Sequence, residues 1–384
     1  MRQHPKKSLV EHFATLTDPR VNRTKEHPLV NVLIIGVCTL LCRGETFNDM
    51  EDFGQAKREW FEAFLDLSHG IPSHDTFNRV FSAINPQQFL QAFLGWTQSV
   101  RQAVPDEIVA MDGKALRRAL NKDQQAQVIV SAWAEDNGLV LGQWKVDDKS
   151  NEITAVPQLL RVLELGGCIV TLDAMGCQKE IAKEIKEADA EYVLALKGNQ
   201  QTVHREVKEF LDDAVAESKS WKPPGMPASA GVENLASKKS VEKDHGRLET
   251  REYYQSRDLS WFADLAKWEG LQSVGMVEAT REVHGKTSKE RRYYLSSLPL
   301  DIERFARAVR GHWGIENKLH WVLDVQFGED QSRARSGYAA ENLATLRRFA
   351  LNLLKSEKTK KRGIRGKQLN ASWDHAYLLR LLGI

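Results

Sequence analysis

The sequence predicts an α/β protein in which helices flank a mixed sheet, with an all-helical region in front of it. Three observations carry this. Apolar residues recur at helical spacing through about residue 100, short β-branched runs begin at residue 107, and from about residue 152 helical and strand patterns alternate.

In the leading region, LVNVLIIGVCTLLC (29–42) is 14 residues long and contains an asparagine. A bilayer span needs about 20 apolar residues, so this is a buried core helix and no membrane association is expected. TFNDMEDFGQAKREWFEAFLDL continues with aromatic and aliphatic residues at helical spacing. GIPSHDTFNRVFSAI then offers a Pro-Ser turn, an N-cap at Ser73, and a short helix exposing Thr76, Asn78 and Arg79. A helix presented this way suits a helix-turn-helix-like DNA-binding unit, and a plain helical bundle fits the pattern equally well.

From residue 107 the chain reads as strands. DEIVAMDGK is a short strand expected to end at Asp112, and QVIVSAWAE and LVLGQWKVD follow across Glu135-Asp136-Asn137-Gly138, a strong hairpin signal. TAVPQLLRVLEL is helical, GCIVTLD is a strand ending at Asp173, QKEIAKEIKEADA is a helix, EYVLALK a strand and QTVHREVKEFLDDAVA a helix. Three strands able to pair as a meander, followed by alternating helix and strand, make the ribonuclease H-like mixed sheet flanked by helices. WKPPGMPASAG breaks the pattern, and residues 217–300 read as a β-rich insertion in which SVGMVEATREV and RRYYLSSL form a hairpin. Helices resume with DIERFARAVRGHWGIENKLHWVLDV and GYAAENLATLRRFALNLLK.

At 384 residues, two domains are expected: 1–104, an N-terminal all-helical domain, and 105–384, a catalytic domain carrying the insertion and a basic C-terminal segment. With 42% hydrophobic and 28% charged residues and a net charge of +2, the composition is that of an ordinary globular protein. No apolar signal core opens the sequence and the four cysteines form no CxxC pair, so reduced thiols and a cytoplasmic location are expected.

Asp112 and Asp173 occupy matching positions at the ends of predicted apolar strands, where α/β active sites collect. Two neighbouring carboxylates repel unless a cation neutralises them, and hard oxygen ligands select Mg²⁺ or Mn²⁺. A third carboxylate comes from HWGIENKLHWVLDVQFGED, where helical spacing lays His312, Glu316, His320 and Asp324 along one face. Glu316 is the chosen member and Asp324 its rival. Three such carboxylates can hold two divalent ions per active site, the arrangement that cleaves and joins phosphodiesters. A zinc site from His312, Glu316 and His320 is the alternative, and it leaves both aspartates without a role. Basic residues recur near these positions: Lys114, Arg117 and Arg118 after Asp112, Lys197 after its strand, Arg310 and Lys318 beside the histidines, and Arg333 and Arg335 beyond the acidic run. Seven Lys/Arg fall within residues 355–367. Phosphate-backbone binding needs such a distribution, and the expected contacts are these residues with His312, His320, Asn78 and Arg79.

Six collinear stretches, PSHDTFNRVFSAINP, DGKALRRA, TLDAMGCQKEIA, YVLALKGNQ, DHGRLETR and HWGIENKLHWVLDVQFGED, closely resemble the H-repeat-associated insertion-sequence transposases of the DDE transposase class. The resemblance implies a ribonuclease H-like catalytic domain, an N-terminal associated domain, and a triad of Asp112 from DGK, Asp173 from TLDA and Glu316 from HWGIEN. It also implies terminal inverted repeats and target DNA as partners, a homodimer on DNA, and a tryptophan of the insertion, Trp261 or Trp268, stacked on an extruded base. The tyrosine-arginine-glutamate-lysine signature of the related cut-and-paste group is absent, because Val309, His312 and Leu323 stand at its other positions. Two further readings stand beside this one: a catalytically inactive DNA-binding derivative and a zinc-dependent hydrolase.

Overall fold

The computed structural model describes residues 8–21, 23, 25–120, 123–147, 150–220, 234–244, 247–283 and 286–384. The break WKPPGMPASAG lies outside the described residues. In chain order the helices are α1 (Leu9–Phe13), α2 (Leu29–Leu41), α3 (Phe47–Ala56), α4 (Arg58–Glu62), α5 (His74–Ala83), α6 (Pro86–Val100), α7 (Glu152–Val162), α8 (Lys179–Glu187), α9 (Gln201–Ser220), α10 (Ile302–His312), α11 (Trp321–Phe327), α12 (Ala339–Ser356), α13 (Ile364–Trp373) and α14 (His375–Leu382). The strands are β1 (Ile108–Leu120), β2 (Ala126–Ala134), β3 (Leu139–Lys145), β4 (Ile169–Leu172), β5 (Glu191–Leu196), β6 (Leu235–Asp244), β7 (Arg247–Ser256), β8 (Ser273–Val283) and β9 (Lys286–Ser296).

These elements form two compact units, one of Met1–Val104, Gly113–Asn151 and Ile315–Ile384, the other of Pro105–Asp112 and Glu152–Gly314. Strand β1 contributes to both.

The first unit is built on α12, whose residues from Ala339 to Leu354 are almost all buried. A helix buried on every side needs apolar partners for its apolar residues and polar partners for Asn342, Arg348 and Asn352. Phe349 supplies the centre of one face, with the rings of Phe13, Phe89, Phe93 and Trp96 each within 6 Å of it. Asn352 clamps β3, donating to the Val140 carbonyl at 2.8 Å and accepting from the Val140 N–H at 2.9 Å. The strand order here is β3-β2-β1, and the expected hairpin is present, Ala134 pairing with Leu139 and Gly138 turning at φ +67°.

The N-terminal helices form for local reasons. Thr46 and Asp49 make a capping box at the start of α3, and the Ser73 hydroxyl accepts from the Thr76 N–H at α5, as expected. The stretch with helical spacing from residue 46 forms two helices, α3 and α4, that meet at Lys57. Residues 63–73 separate α4 from α5, a longer connection than the turn of roughly 3–4 residues in a helix-turn-helix. Among the described residues no helix is long and apolar enough to cross a membrane.

In the second unit the order is β1-β4-β5-β9-β8-β7-β6, with β1, β4 and β5 parallel and the remaining pairs antiparallel. The meander and parallel strands with intervening helices form the mixed sheet of a ribonuclease H-like fold, and the insertion's four strands extend it beyond β5. Strand β6 was not anticipated. Its LASKKSVEKD alternates exposed and half-buried positions but carries lysines on an edge, which blunts its apolar signal.

Helix α10 packs on this sheet through Phe305, Ala306, Ala308 and Val309, against Val193, Tyr253, Val277 and Tyr294. Gly275 lies under the Phe305 ring, so a Cβ there collides with it. Gly275→Ala is expected to destabilise the protein by roughly 1–3 kcal/mol, the usual range for overpacking, measured as a lowered urea midpoint at unchanged slope.

Candidate active site

Parallel pairing of β1 with β4 runs in register from Ile108↔Ile169 to Met111↔Leu172. Asp112 and Asp173 come directly after the last pair, so two neighbouring strands deliver one carboxylate each at the same level. The expected strand end at Asp112 needs correcting, because β1 continues to Leu120. The reason is inward packing of Lys114, Leu116 and Ala119, the last two in a cluster with Ile129, Ala340 and Ala344. Asp173 does end its strand. Its Oδ1 accepts from the N–H groups of Met175 (2.9 Å) and Gly176 (3.3 Å), a turn that fixes the carboxylate and leaves Oδ2 outside these bonds.

A cleft of about 120 Å³ opens beside Asp173, lined also by Lys197, Arg292, Tyr294, His312 and Trp313. His312 Nδ1 lies 3.0 Å from the Thr171 hydroxyl, and the Arg292 guanidinium sits 4.8 Å over the Trp313 ring. Arg292 was missed in the sequence; its only signal there is its place in the alternating strand RRYYLS. Arg310, expected to meet DNA, is paired with Glu242 at 3.1–3.2 Å. Trp268 is 2% exposed and so is core, while Trp261 stacks on Phe210 at 4.6 Å. Trp268 is therefore not presented for base stacking, and Trp261 is half-buried.

The first unit holds Glu316. The helix expected to run unbroken through HWGIENKLHWVLDV is interrupted, because Ile315–His320 is a π-helical turn with α11 following it. A π turn holds an extra residue, so a straight four-residue stripe does not pass through it; such turns are frequent at functional sites. His320 is 4% exposed and its Nδ1 lies 3.1 Å from Glu316 Oε2. That hydrogen bond, with the charges of His320 and Lys114, holds the Glu316 carboxyl below the usual carboxylate range despite its partial burial.

Lys114 is not available to a phosphate. It is 7% exposed, and its Nζ lies 2.7 Å from Asp324, 2.6 Å from Asp330 and 3.9 Å from Glu329. Burial raises the Asp324 carboxyl above its usual range, against the pull of Lys114, and the rival carboxylate is thus engaged in an ion pair. Lys318 is paired with Glu135. Arg117 is 80% exposed and reaches Asp330 at 3.1 Å. Arg79, Arg118, Lys197, Arg333 and Arg335 are exposed, and Asn78 is half-buried.

Residues 10–97 match the family model "DDE_Tnp_1-associated", and residues 104–353 match "Transposase DDE domain". The chain belongs to the DDE transposases. Among the relatives of this transposase, "Putative transposase YncI" of Escherichia coli O157:H7 is 37% identical over 98% of this chain and 94% of its own. "H repeat-associated putative transposase YhhI" of Escherichia coli K12 is 36% identical over 98% of each chain. A cryo-EM structure of the piggyBac transposase synaptic complex with hairpin DNA superposes with a TM-score of 0.44 at 11% identity, covering 98% of this chain and 78% of that one, too slight a likeness to build on. Divalent-metal use goes with the family, and the transposase's carboxylates fit it: Asp112, Asp173 and Glu316 are hard oxygen donors that are not fully buried.

Proposed function

We propose that this transposase cleaves DNA strands at the ends of an insertion sequence and joins the freed 3′-hydroxyls to target DNA. The observation that carries the proposal is the in-register delivery of Asp112 and Asp173 by neighbouring parallel strands. Glu316 is the third carboxylate. Lys114, whose charge helps keep Glu316 ionised, follows Asp112 by two residues on the same strand. Asp112, Asp173 and Glu316 would hold two Mg²⁺ or Mn²⁺ ions. Bound ions of this kind supply the positive charge that activates an attacking oxygen and stabilises a leaving one.

The chain's own contribution is positioning. The backbone N–H groups of Met175 and Gly176 fix the Asp173 carboxylate, and His320 fixes that of Glu316. Lys197 gives the cleft beside Asp173 a cationic wall suited to the phosphates of the strand being cut, while Arg292 on the same wall is already paired with Glu290 at 2.8 and 3.1 Å. Holding two element ends together calls for a homodimer on DNA.

The decisive experiment is Mg²⁺-dependent strand cleavage of DNA carrying the terminal repeats that flank the gene. Glu316→Gln is expected to lower the rate by more than about 100-fold, since loss of even an outer-shell partner commonly costs 10–100-fold. Asp324→Asn, tested beside it, should retain cleavage. Wild-type rates in Glu316→Gln, or loss confined to Asp324→Asn, overturn the assignment.

A further inference from the structure

The first unit contains a second, larger cleft of about 630 Å³ that the carboxylates do not use. Its walls include Arg118, Arg333, Arg335, Arg347, Asn78 and Glu45. Four guanidinium groups against one carboxylate leave the charged lining with an excess of three positive charges.

Arg347 is the informative member. It is 1% exposed, and neither its Nε nor its Nη2 meets a hydrogen-bond partner among the described residues. Its neighbour Arg348, on the same helix α12, holds the buried Glu329 carboxylate: Arg348 Nη1 donates to Glu329 Oε1 at 2.8 Å. The other oxygen of Glu329 faces Lys114 at 3.9 Å. A buried guanidinium with unmet donors is costly, and a buried charge is normally matched by an opposite one. Here Arg347 lies in the field of the Glu329 and Glu45 carboxylates, yet its Nε and Nη2 donors stay unmet, and it lines a cleft that also carries three exposed arginines. A planar fork of donors of this kind fits phosphate oxygens two at a time.

We infer that this cleft binds the phosphodiester backbone of DNA, with Arg347 as the buried anchor and Arg118, Arg333 and Arg335 along the entrance. The assignment rests on the transposase reading. It differs from the catalytic proposal in using no carboxylate, and it gives Arg333, Arg335 and Arg118 one common ligand.

Binding of a fluorescein-labelled 30-base-pair duplex in EDTA, over a series of salt concentrations, tests this without cleavage. For the wild type, log K should fall linearly with log salt. Arg347→Gln should make the slope shallower by about one, and Arg333→Gln with Arg335→Gln by about two, since each phosphate contact contributes about 0.9. If Arg347→Gln fails to fold by circular dichroism, the exposed double variant decides alone. Wild-type slopes and affinities in the variants that fold overturn the cleft as a DNA site while leaving the carboxylate proposal untouched. No duplex binding by the wild type overturns both. A thermal shift with inorganic phosphate that Arg347→Gln abolishes, with DNA slopes unchanged, overturns the backbone assignment in favour of a free-anion site.

Discussion

Asp173→Asn is expected to lower metal-dependent DNA cleavage by more than about 100-fold while leaving the melting temperature unchanged. The substitution separates two roles that sequence alone cannot. If Asp173 served only its turn, asparagine would serve as well, because the amide oxygen can accept the same bonds from Met175 and Gly176. What asparagine removes is charge and a strong oxygen donor, and only metal binding requires those. Asp112→Asn should behave alike, since both carboxylates leave neighbouring strands at the same register level. Single-turnover cleavage with Mg²⁺, read beside a thermal melt, checks this. Cleavage at the wild-type rate with the fold intact would return Asp173 to a purely structural role.

What the residues revealed in advance depended on how local each cause is. The β2–β3 hairpin was legible because Asp136-Asn137-Gly138 dictates its own turn, and Gly138 adopts the expected left-handed backbone. The apolar strands before Asp112 and Asp173 were legible because parallel strands are buried on both faces. The π turn at Ile315–His320 was not, since it arises from packing and leaves no pattern distinct from α-helix. The fate of the cations was least legible. Lys114 beside Asp112 reads as a surface lysine, yet its partners Asp324 and Asp330 lie more than two hundred residues later in the chain. Arg347 and Arg348, inside LATLRRFALNLLK, look like the polar stripe of an amphipathic helix, and both are buried. Charge pattern identified basic residues suited to DNA, but only tertiary packing shows which of them already have carboxylate partners.

Glu329→Gln is expected to cost about 3–5 kcal/mol of stability, the usual penalty for removing one partner of a buried ion pair. Glu329 is 1% and Arg348 0% exposed, and Arg348 also donates to the Ala344 carbonyl at 3.0 Å and the Ser131 hydroxyl at 3.2 Å. With Lys114 at 3.9 Å, Glu329 therefore ties together β1, β2 and α12 of the first unit. Glutamine can still accept one hydrogen bond, but it takes the buried negative charge away from Arg347 and Arg348, while Lys114 keeps Asp324 and Asp330. Burial pushes the Glu329 carboxyl upward, and the charges of Arg348, Arg347 and Lys114 more than reverse this, holding it below its ordinary range. A carboxyl lowered in the folded state adds stability above its unfolded pKa and loses it as pH falls through the folded value. The wild type should thus lose stability on acidification below about pH 4.5, and Glu329→Gln should lack that component. The double change Glu329→Gln with Arg348→Met removes the orphaned charge as well as the carboxylate. It should be less destabilised than the sum of the single variants, because buried pairs are strongly non-additive. Urea unfolding of the four proteins at pH 7 and pH 4 reads both effects, and additive single-variant losses would show that Glu329 and Arg348 do not act as a pair.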